Sequence, residues 1–315
     1  MSEFYESRYG QYVEEFDRLF PDEETCVETV LQLKWRDGFR CDRCGHDAAY
    51  RIQTRRLPLF ECAGCGRQAS LTSGTFLHKS STPLRKWLFA MFCVARKEAS
   101  IHASALAYLL RVTYKTALSM LRKIRACISA MDRDVRLEGR VQGKHILFMN
   151  DLLLREERVA KEQSAVVARS VSEETGESYY KIKLLSRRKP ARQPLSEEDR
   201  ETFERQYCED GIRQVEWDAR YQAKWNHAFR LESVLPAADE KDPERVSIGL
   251  AMAARRAFEW MNRTFHGIGP KYAALYFDEF CFRLNGLVRG IRSEDLWELL
   301  LGNMTSVPRY QQATA

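Results

Sequence analysis

The stretch CDRCGHDAAYRIQTRRLPLFECAGC, residues 41–65, contains two CxxC pairs that are separated by seventeen residues. A glycine follows each pair, at Gly45 and Gly66, which is typical of the tight knuckles that present cysteine sulfurs to a metal ion. The residues between the pairs alternate in polarity as a short β-hairpin does. The stretch therefore predicts a zinc ribbon, in which one zinc ion is bound by Cys41, Cys44, Cys62 and Cys65.

The predicted zinc site is structural. Four cysteine ligands complete a tetrahedral shell and leave no open position for water or substrate. A domain of this size buries too little apolar surface to fold by itself, so the metal supplies the missing free energy. The alternative, that the four cysteines are unrelated buried residues, is disfavoured by the spacing.

Length and composition indicate a globular chain of about two domains. The chain has 315 residues, of which 44% are hydrophobic. Its first residues, MSEFYESRYG, contain neither a basic leader nor an apolar segment, and the longest uninterrupted apolar run, Trp87 to Ala95, is shorter than a membrane span. We therefore expect a cytoplasmic protein with no membrane partner.

Charge is distributed unevenly along the chain. The net charge is +6, but residues 1–30 carry nine acidic side chains against two basic ones, and residues 31–130 carry eighteen basic side chains against five acidic ones. A basic block of this size predicts a polyanionic partner, because each lysine or arginine that contacts a phosphate releases a condensed counterion. The alternative is a basic surface that is merely solvated.

The basic block also contains a helical pattern. Thr82 and Pro83 are a typical N-cap and first helical residue, and apolar residues then recur at helical spacing. Two further helices are predicted on either side of a short turn at residues 111–112, with Thr113 as the cap of the second. This pattern predicts a helix-turn-helix whose second helix lies in the major groove of double-stranded DNA. An ordinary helical hairpin is the alternative.

The candidate DNA contacts are basic and polar side chains on the ribbon, on the first helix of this block and on the predicted recognition helix. They are Arg43, Arg55, Arg56, Arg85, Lys86, Tyr114, Lys115, Thr116, Arg122 and Lys123.

Several short segments besides the cysteine pairs resemble a known family. They are Trp35-Arg-Asp-Gly38, Thr72-Ser-Gly-Thr75, Pro83-Leu-Arg-Lys-Trp87, Val112-Thr-Tyr-Lys-Thr116, Thr264-Phe-His-Gly267, Pro270-Lys271 and the run from Leu275 to Asn285. Together they resemble the bacterial insertion-sequence transposases that have an N-terminal zinc ribbon and a DDE-type transposase domain, the insertion-sequence fifteen-ninety-five family. The resemblance covers nearly the whole chain and is strongest over residues 20–130 and 260–285.

The resemblance implies a multidomain α+β protein with a small zinc ribbon, a helix-turn-helix domain and an RNase-H-like α/β domain. The expected boundaries are an acidic N-terminal helical segment at 1–30, the ribbon at 31–78, the helix-turn-helix at 79–131, the RNase-H-like domain at 132–290, and a C-terminal helix and tail at 291–315. Such proteins recognise the ends of a mobile element and cut and join DNA. We expect a homo-oligomer on DNA, associated with the bacterial nucleoid, without a small-molecule substrate.

The expected chemistry needs carboxylates, because two Mg²⁺ ions about 4 Å apart activate the nucleophile and stabilise the leaving oxygen. The resemblance implies an aspartate on the first strand of the domain, a second after a later strand, and a third ligand on a helix. In this chain Gly139-Arg-Val-Gln-Gly-Lys144 places Lys144 where the first aspartate is expected, and Asp218 occupies the second position. Arg255 and Arg256 lie near the third.

Two interpretations of the catalytic positions remain open. In one, the nuclease centre is degenerate, Lys144 occupies the space of a cation, and the protein is a non-catalytic DNA-binding factor. In the other, Asp151, Asp218 and Glu259 form a shifted triad that binds Mg²⁺, and the protein is an active transposase. A third possibility is that the ribbon and the C-terminal helix serve protein contacts and that DNA binding is secondary.

Overall fold

The computed structural model describes residues 2–53, 57–96, 100–148, 162–185, 194–210, 215–218, 242–265 and 268–304. The chain forms two compact units, one of residues 1–127 with 292–315 and one of residues 128–291. Among the described residues, no helix is both long enough and apolar enough to cross a membrane.

Among the described residues, groups of helices and groups of strands follow one another along the chain. The helices are α1 (Ser2–Leu19), α2 (Glu23–Lys34), α3 (Leu84–Ala95), α4 (Ala103–Leu110), α5 (Tyr114–Asp134), α6 (Glu197–Tyr207), α7 (Pro243–Phe265), α8 (Pro270–Val288) and α9 (Ser293–Asn303). The strands are β1 (Ala49–Ile52), β2 (Leu59–Cys62), β3 (Gln68–Ser70), β4 (Arg140–Phe148), β5 (Gln163–Val171), β6 (Ser178–Leu184) and β7 (Glu216–Asp218).

In the first unit, α3 is the central helix, and every residue from Trp87 to Ala95 is buried. Its N-terminus is not capped by Thr82, so that prediction is wrong: the helix begins after Pro83, which has no side-chain cap. Instead, the carboxylate of Glu23 accepts hydrogen bonds from the backbone N–H groups of residues 84 and 85, at 2.7 and 2.9 Å. An acidic side chain at this end also matches the positive end of the helix dipole.

The C-terminal helix α9 completes the core of the same unit. The Trp297 ring lies 5.3 Å from that of Phe20 and 6.1 Å from that of Phe92, between ring centroids. The Arg96 guanidinium lies 3.1 Å from the Glu294 carboxylate. Residues that follow the second unit in the chain therefore pack with helices that precede it.

In its described residues, the second unit is built on a four-stranded sheet with the order β6-β5-β4-β7. Strands β4, β5 and β6 are antiparallel, and β7 pairs in parallel with β4. Side chains alternate between the two faces of a strand. Ile146 and Phe148 of β4 pack with α7 and α8 on one face, and Val141 packs with Phe203 of α6 on the other. Helices therefore cover both faces of the sheet.

The second unit also buries paired charges. The Lys181 ammonium lies 2.9 Å from the Asp132 carboxylate, and Lys183 contacts both Asp132, at 2.6 Å, and Asp278, at 2.5 Å. Although burial opposes ionisation, the two ammonium groups hold the pKa of Asp132 below its usual value. Buried charges of this kind are retained only when each has a partner.

Candidate metal centres and nucleic-acid interface

The four cysteines of the ribbon come together at one point. Their sulfur atoms all lie within 4.8 Å of one another, with Cys41 and Cys65 at 3.7 Å and Cys44 and Cys62 at 3.6 Å. These separations suit tetrahedral coordination, because each Zn–S bond is about 2.3 Å long. The four cysteines predicted from the sequence are therefore positioned to bind a metal ion, which is consistent with a zinc ribbon.

Local backbone geometry explains why two CxxC pairs suffice. The N–H of Gly45 donates to the carbonyl of Cys41 at 2.9 Å, and that of Gly66 donates to the carbonyl of Cys62 at 3.0 Å. Both glycines have positive φ, +73° and +67°, which residues with a side chain rarely adopt. Each turn therefore places its two sulfurs on the same side.

The backbone of the first knuckle also favours the thiolate. Hydrogen bonds from the backbone N–H groups of Arg43 and Cys44 lower the pKa of the Cys41 thiol to about 6. Although the backbone N–H of His46 lowers the pKa of the Cys44 thiol, hydrogen bonds with the neighbouring thiols raise it. In this knuckle it is therefore Cys41 that is shifted toward the thiolate, the form that zinc binds.

The ribbon forms a three-stranded antiparallel sheet of order β1-β2-β3, in which Ala49 is paired with Cys62. The predicted β-hairpin between the cysteine pairs is thereby confirmed. Four cysteines in two knuckles on such a sheet define the class of zinc ribbons.

The comparisons with known proteins agree with this class. Residues 21–68 match the family model described as "Transposase zinc-ribbon domain", that of the insertion-sequence fifteen-ninety-five family. A relative from Halobacterium salinarum, named "Uncharacterized protein in transposable element ISH50", is 28% identical over 127 residues. No solved structure matches the chain significantly. Residues 21–68 are thus similar to a transposase zinc-ribbon domain, and the name of the relative places that protein in a transposable element.

The alignment with the relative is partial. It covers 40% of this chain and 42% of the relative, so the chain spans less than half of that protein's length. The activity, substrates and partners of the whole protein therefore do not follow from the comparison.

A lysine that the sequence did not single out attaches the ribbon to α2. The Lys34 ammonium donates to the carbonyl oxygens of Ser70 and Ser73, both at 2.7 Å, and of Leu71 at 3.2 Å. Burial lowers the pKa of Lys34 to about 8. Because the hydrogen bonds run to the turn after β3, this side chain fixes the end of the ribbon sheet against the helix. A local sequence pattern gives no signal for such a contact.

Two of the candidate DNA contacts are engaged inside the first unit. The Arg85 guanidinium forms an ion pair with Asp17 and donates to the carbonyl of Phe20 at 2.8 Å. The Lys123 ammonium lies 5.7 Å from the centre of the Trp87 ring, and burial lowers its pKa. Lys86 is half-buried, and Arg55 and Arg56 lie outside the described residues.

The predicted recognition helix, α5, presents a polar face at its N-terminal end. Tyr114 is 54% exposed, Lys115 and Ser119 are exposed, and Arg122 is half-buried. Lys115, Ser119 and Arg122 are spaced by four and three residues, so they lie on one face of the helix. Ser119 is not among the DNA contacts predicted from the sequence, although it lies four residues after Lys115. Arg43 of the ribbon is exposed as well.

The turn before α5 matches the predicted geometry. Arg111 adopts a left-handed conformation with φ of +49°, directly after α4. The Thr113 hydroxyl then accepts a hydrogen bond from the backbone N–H of Thr116 at 3.2 Å, so the prediction of Thr113 as the cap is confirmed. The Thr116 side chain itself is hydrogen-bonded to the Thr113 hydroxyl at 2.9 Å.

Lys144 and Asp218 lie directly opposite each other on the paired strands β4 and β7. The Lys144 ammonium forms an ion pair with the Asp218 carboxylate, and only 3% and 13% of the two side chains is exposed. The Ser247 hydroxyl, on α7, accepts a hydrogen bond from Lys144 at 3.0 Å and contacts the same carboxylate oxygen. We call Lys144, Asp218 and Ser247 the Lys144 cluster.

A second cross-strand contact lies two residues before the Lys144 cluster. The Arg140 guanidinium holds the Glu216 carboxylate with two hydrogen bonds, at 2.9 and 3.0 Å, and the Gln142 amide donates to it at 2.9 Å. The hydrogen bonds from Arg140 lower the pKa of Glu216. Both acids of β7 are therefore neutralised by side chains of β4.

Glu259 is not brought to Asp218. It forms an ion pair with Arg255 at 2.9 Å. Glu259 lies twelve residues after Ser247 on the continuous helix α7, which corresponds to about 18 Å along the axis. Asp151 lies outside the described residues.

The Lys144 cluster does not fit the magnesium ion that the resemblance implies. A magnesium site needs several oxygen ligands around a dication, whereas in the described part of the chain an ammonium group already binds the Asp218 carboxylate. In the part of the chain that the structure describes, the four ribbon cysteines are the only group of three or more His, Cys, Asp or Glu side chains placed to share a metal ion.

Proposed function

We propose that the protein is a transposase-related protein that recognises specific double-stranded DNA, at element ends or at a derived site, and that its nuclease centre is degenerate. The observation that carries this proposal is the ion pair between Lys144 and Asp218, at the two strand positions where the resemblance implies metal-binding acids. The ribbon match supports the transposase descent.

The sheet supports the assignment of an RNase-H-like domain to residues 132–290. The resemblance implies that two acids lie on different strands and share a metal site. The pairing of β4 with β7 brings these two sequence positions together although they are 74 residues apart. This pairing supports the interpretation that lysine replaces the first acid at a matching position.

The exposed face of α5 and the ribbon supply the DNA-binding surface. Lys115, Ser119 and Arg122 follow a two-residue turn after α4, as residues of a recognition helix do. Exposed Arg43 adds positive charge on the ribbon, and Tyr114 offers an exposed ring and hydroxyl at the start of the helix. We expect a homo-oligomer on DNA, as the resemblance implies.

Salt-dependent DNA binding tests this proposal. Lys115→Ala removes one phosphate contact, so binding weakens and the slope of log K against log salt falls by about 1. Lys271→Ala, which removes an exposed lysine of the second unit, is the matched control and leaves the slope unchanged. Zinc content, measured in parallel, stays the same in both variants. Unaltered binding by the Lys115 variant would count against α5 as the recognition helix.

The nuclease part of the proposal needs a separate assay. With cognate DNA ends and Mg²⁺ or Mn²⁺, we expect neither nicking nor strand transfer by the wild-type protein. The alternative function, an active DDE-type transposase, predicts metal-dependent products that disappear in Asp218→Ala. Such products would overturn the degenerate centre while leaving the DNA-binding proposal intact.

A further inference from the structure

We propose that the Lys144 ammonium is the resident cation of the Lys144 cluster and that exchange of this one lysine for aspartate converts the cluster into a site for a divalent cation, Mg²⁺ or Mn²⁺. The inference rests on the proposed function in one respect, that the nuclease centre is degenerate. It adds Ser247 as the third residue of the Lys144 cluster, and it explains how the fold is stable without a metal ion at this position.

Three elements bring the cluster together. Lys144 comes from β4, Asp218 from β7 and Ser247 from α7, and each side chain contacts the other two. Side-chain alternation places Lys144 on the face of β4 that also carries Ile146 and Phe148, which pack on α7 and α8. The helix residue that faces the strand pair is therefore Ser247, about two turns before the arginines that the sequence placed near the third position.

The ammonium group interacts with the same kind of atoms that a hard metal ion binds. It donates to one carboxylate oxygen and one hydroxyl oxygen, and oxygen is the ligand that Mg²⁺ prefers. Among the described residues, the ammonium group of Lys144 offsets the charge of the Asp218 carboxylate without a metal ion. This balance matters because both charged side chains are largely removed from solvent.

The neighbouring acid of β7, Glu216, is likewise bound by side chains of β4. Two residues before the lysine, Gln142 donates a hydrogen bond to Glu216, and Arg140 provides the positive charge. Strand β4 therefore supplies donors and cations, whereas β7 keeps its two acids. If the positively charged side chain at residue 144 were replaced by a negatively charged one, the cluster would contain two facing carboxylates.

The geometry explains what Lys144→Asp is expected to do. The new carboxylate would stand in register with Asp218 on the neighbouring strand. Two carboxylates at such a position repel each other and raise one another's pKa unless a cation lies between them. Two carboxylates with the Ser247 hydroxyl form a partial oxygen shell, and Mg²⁺ completes such a shell with water.

Thermal unfolding of the full-length, zinc-loaded protein tests the inference. The wild type, Lys144→Asp and Lys144→Met are compared with and without MgCl₂ or MnCl₂, and no chelator is used, so that the ribbon keeps its zinc. We expect both variants to have a lower Tm than the wild type without added metal. Metal at about 100 times its Kd then raises the Tm of Lys144→Asp by about 5–10 °C, whereas the wild type and Lys144→Met do not respond.

Each outcome of this experiment either supports or overturns the proposal. No metal response in Lys144→Asp, or an equal response in Lys144→Met, overturns the proposal. Addition of Ser247→Ala to the Lys144→Asp variant removes one oxygen ligand, so metal affinity should fall, and an unchanged affinity would remove Ser247 from the site.

Two further measurements keep the test decisive. If Lys144→Asp does not fold without metal, denatured protein is refolded with and without millimolar MgCl₂: recovery only with metal supports the proposal, and equal failure overturns it. Failure of the proposed function is detected separately. Metal-dependent cleavage by the wild-type protein, or absence of specific DNA binding, would show it, and neither measurement uses these variants.

Discussion

The zinc ribbon and the Lys144 cluster are two places where the resemblance implies a metal, and they differ in what holds the charge. The ribbon brings four sulfur ligands together, and its structure fits zinc. The Lys144 cluster brings one carboxylate, one hydroxyl and one ammonium group together. Under the proposed function, the second unit has lost a metal site and an ammonium group supplies the positive charge there, whereas the ribbon keeps its metal ligands.

From their surroundings, we expect the ribbon to depend on a metal and the Lys144 cluster to be stable without one. The Lys144 cluster lies in a unit whose sheet is covered by helices and by an apolar core on each face. The ribbon strands are three or four residues long, and β1 has no buried residue. Apolar burial stabilises the second unit, whereas the ribbon depends on the metal–sulfur bonds.

The largest expected effect comes from breaking the ribbon site. Cys62→Ser removes one of four zinc ligands, and structural zinc contributes about 10–16 kcal/mol in comparable peptides. We therefore expect loss of the zinc ion and unfolding of the ribbon. Zinc content, measured by mass spectrometry of the metal, and protease sensitivity of residues 41–70 check this prediction.

Cys26→Ala is the control for the ribbon experiment. Cys26 is fully buried in α2, and its thiol donates to the carbonyl of Asp22 at 3.3 Å, outside the sulfur cluster. This variant should keep one zinc ion per chain. Retention of zinc and of a protected ribbon by the Cys62 variant would show that the ribbon does not depend on the metal.

A smaller effect is expected from Lys144→Met, which leaves the Asp218 carboxylate without its ammonium partner. Removal of one member of a buried ion pair costs about 3–5 kcal/mol. Urea denaturation, followed by tryptophan fluorescence, measures the loss in the free energy of unfolding. The matched control, Lys271→Met, removes an exposed lysine and should change stability by less than about 0.5 kcal/mol.

A double-mutant cycle then separates the ion pair from simple packing. If Lys144 acts as a counter-ion, Asp218→Leu should recover part of the stability that Lys144→Met loses, because no uncompensated charge remains. Additive losses in the double variant would mean that the two side chains contribute independently, and the comparison with a metal site would fail.

The ribbon could be predicted from the sequence, whereas the Lys144 cluster could be predicted only in part. The ribbon ligands lie in two pairs with fixed local spacing, so the sequence itself carries the geometry. The motif placed Lys144 and Asp218 on strands, but their contact depends on sheet pairing across 74 residues. Ser247 has no local signal, because its role follows from how α7 is rotated against the sheet.

Long-range contacts also explain the remaining differences. Glu23, and not Thr82, caps α3 from 61 residues away. Arg85 and Lys123 are predicted to contact DNA because they are basic. The sequence does not show that Asp17 lies beside Arg85 or that the Trp87 ring lies beside Lys123. Charge counts predict that a segment is basic, and they do not predict which side chains face solvent.

The smallest expected effect concerns glycines, which have different roles in the ribbon and beside the Lys144 cluster. Gly45 and Gly66 of the ribbon are needed for their positive φ, whereas Gly143 is needed because a Cβ atom there would lie 2.8 and 2.9 Å from two atoms of the Trp217 ring. The Trp217 indole N–H donates to Glu204 at 2.7 Å, which limits how far the ring can move.

Gly143→Ala should therefore cost about 1–3 kcal/mol, as overpacking typically does. Because Gly143 pairs with Trp217 beside the pair of Lys144 and Asp218, the strain should also weaken the contact between β4 and β7. Chemical denaturation of the second unit measures the loss, and hydrogen exchange of the β4 amides reports the local opening. Gly10→Ala in α1, where nothing lies within 4 Å of the added Cβ, should be neutral or stabilising, since alanine favours a helix. Equal stability of both variants would mean that Trp217 yields easily and that close strand packing does not hold the Lys144 cluster together.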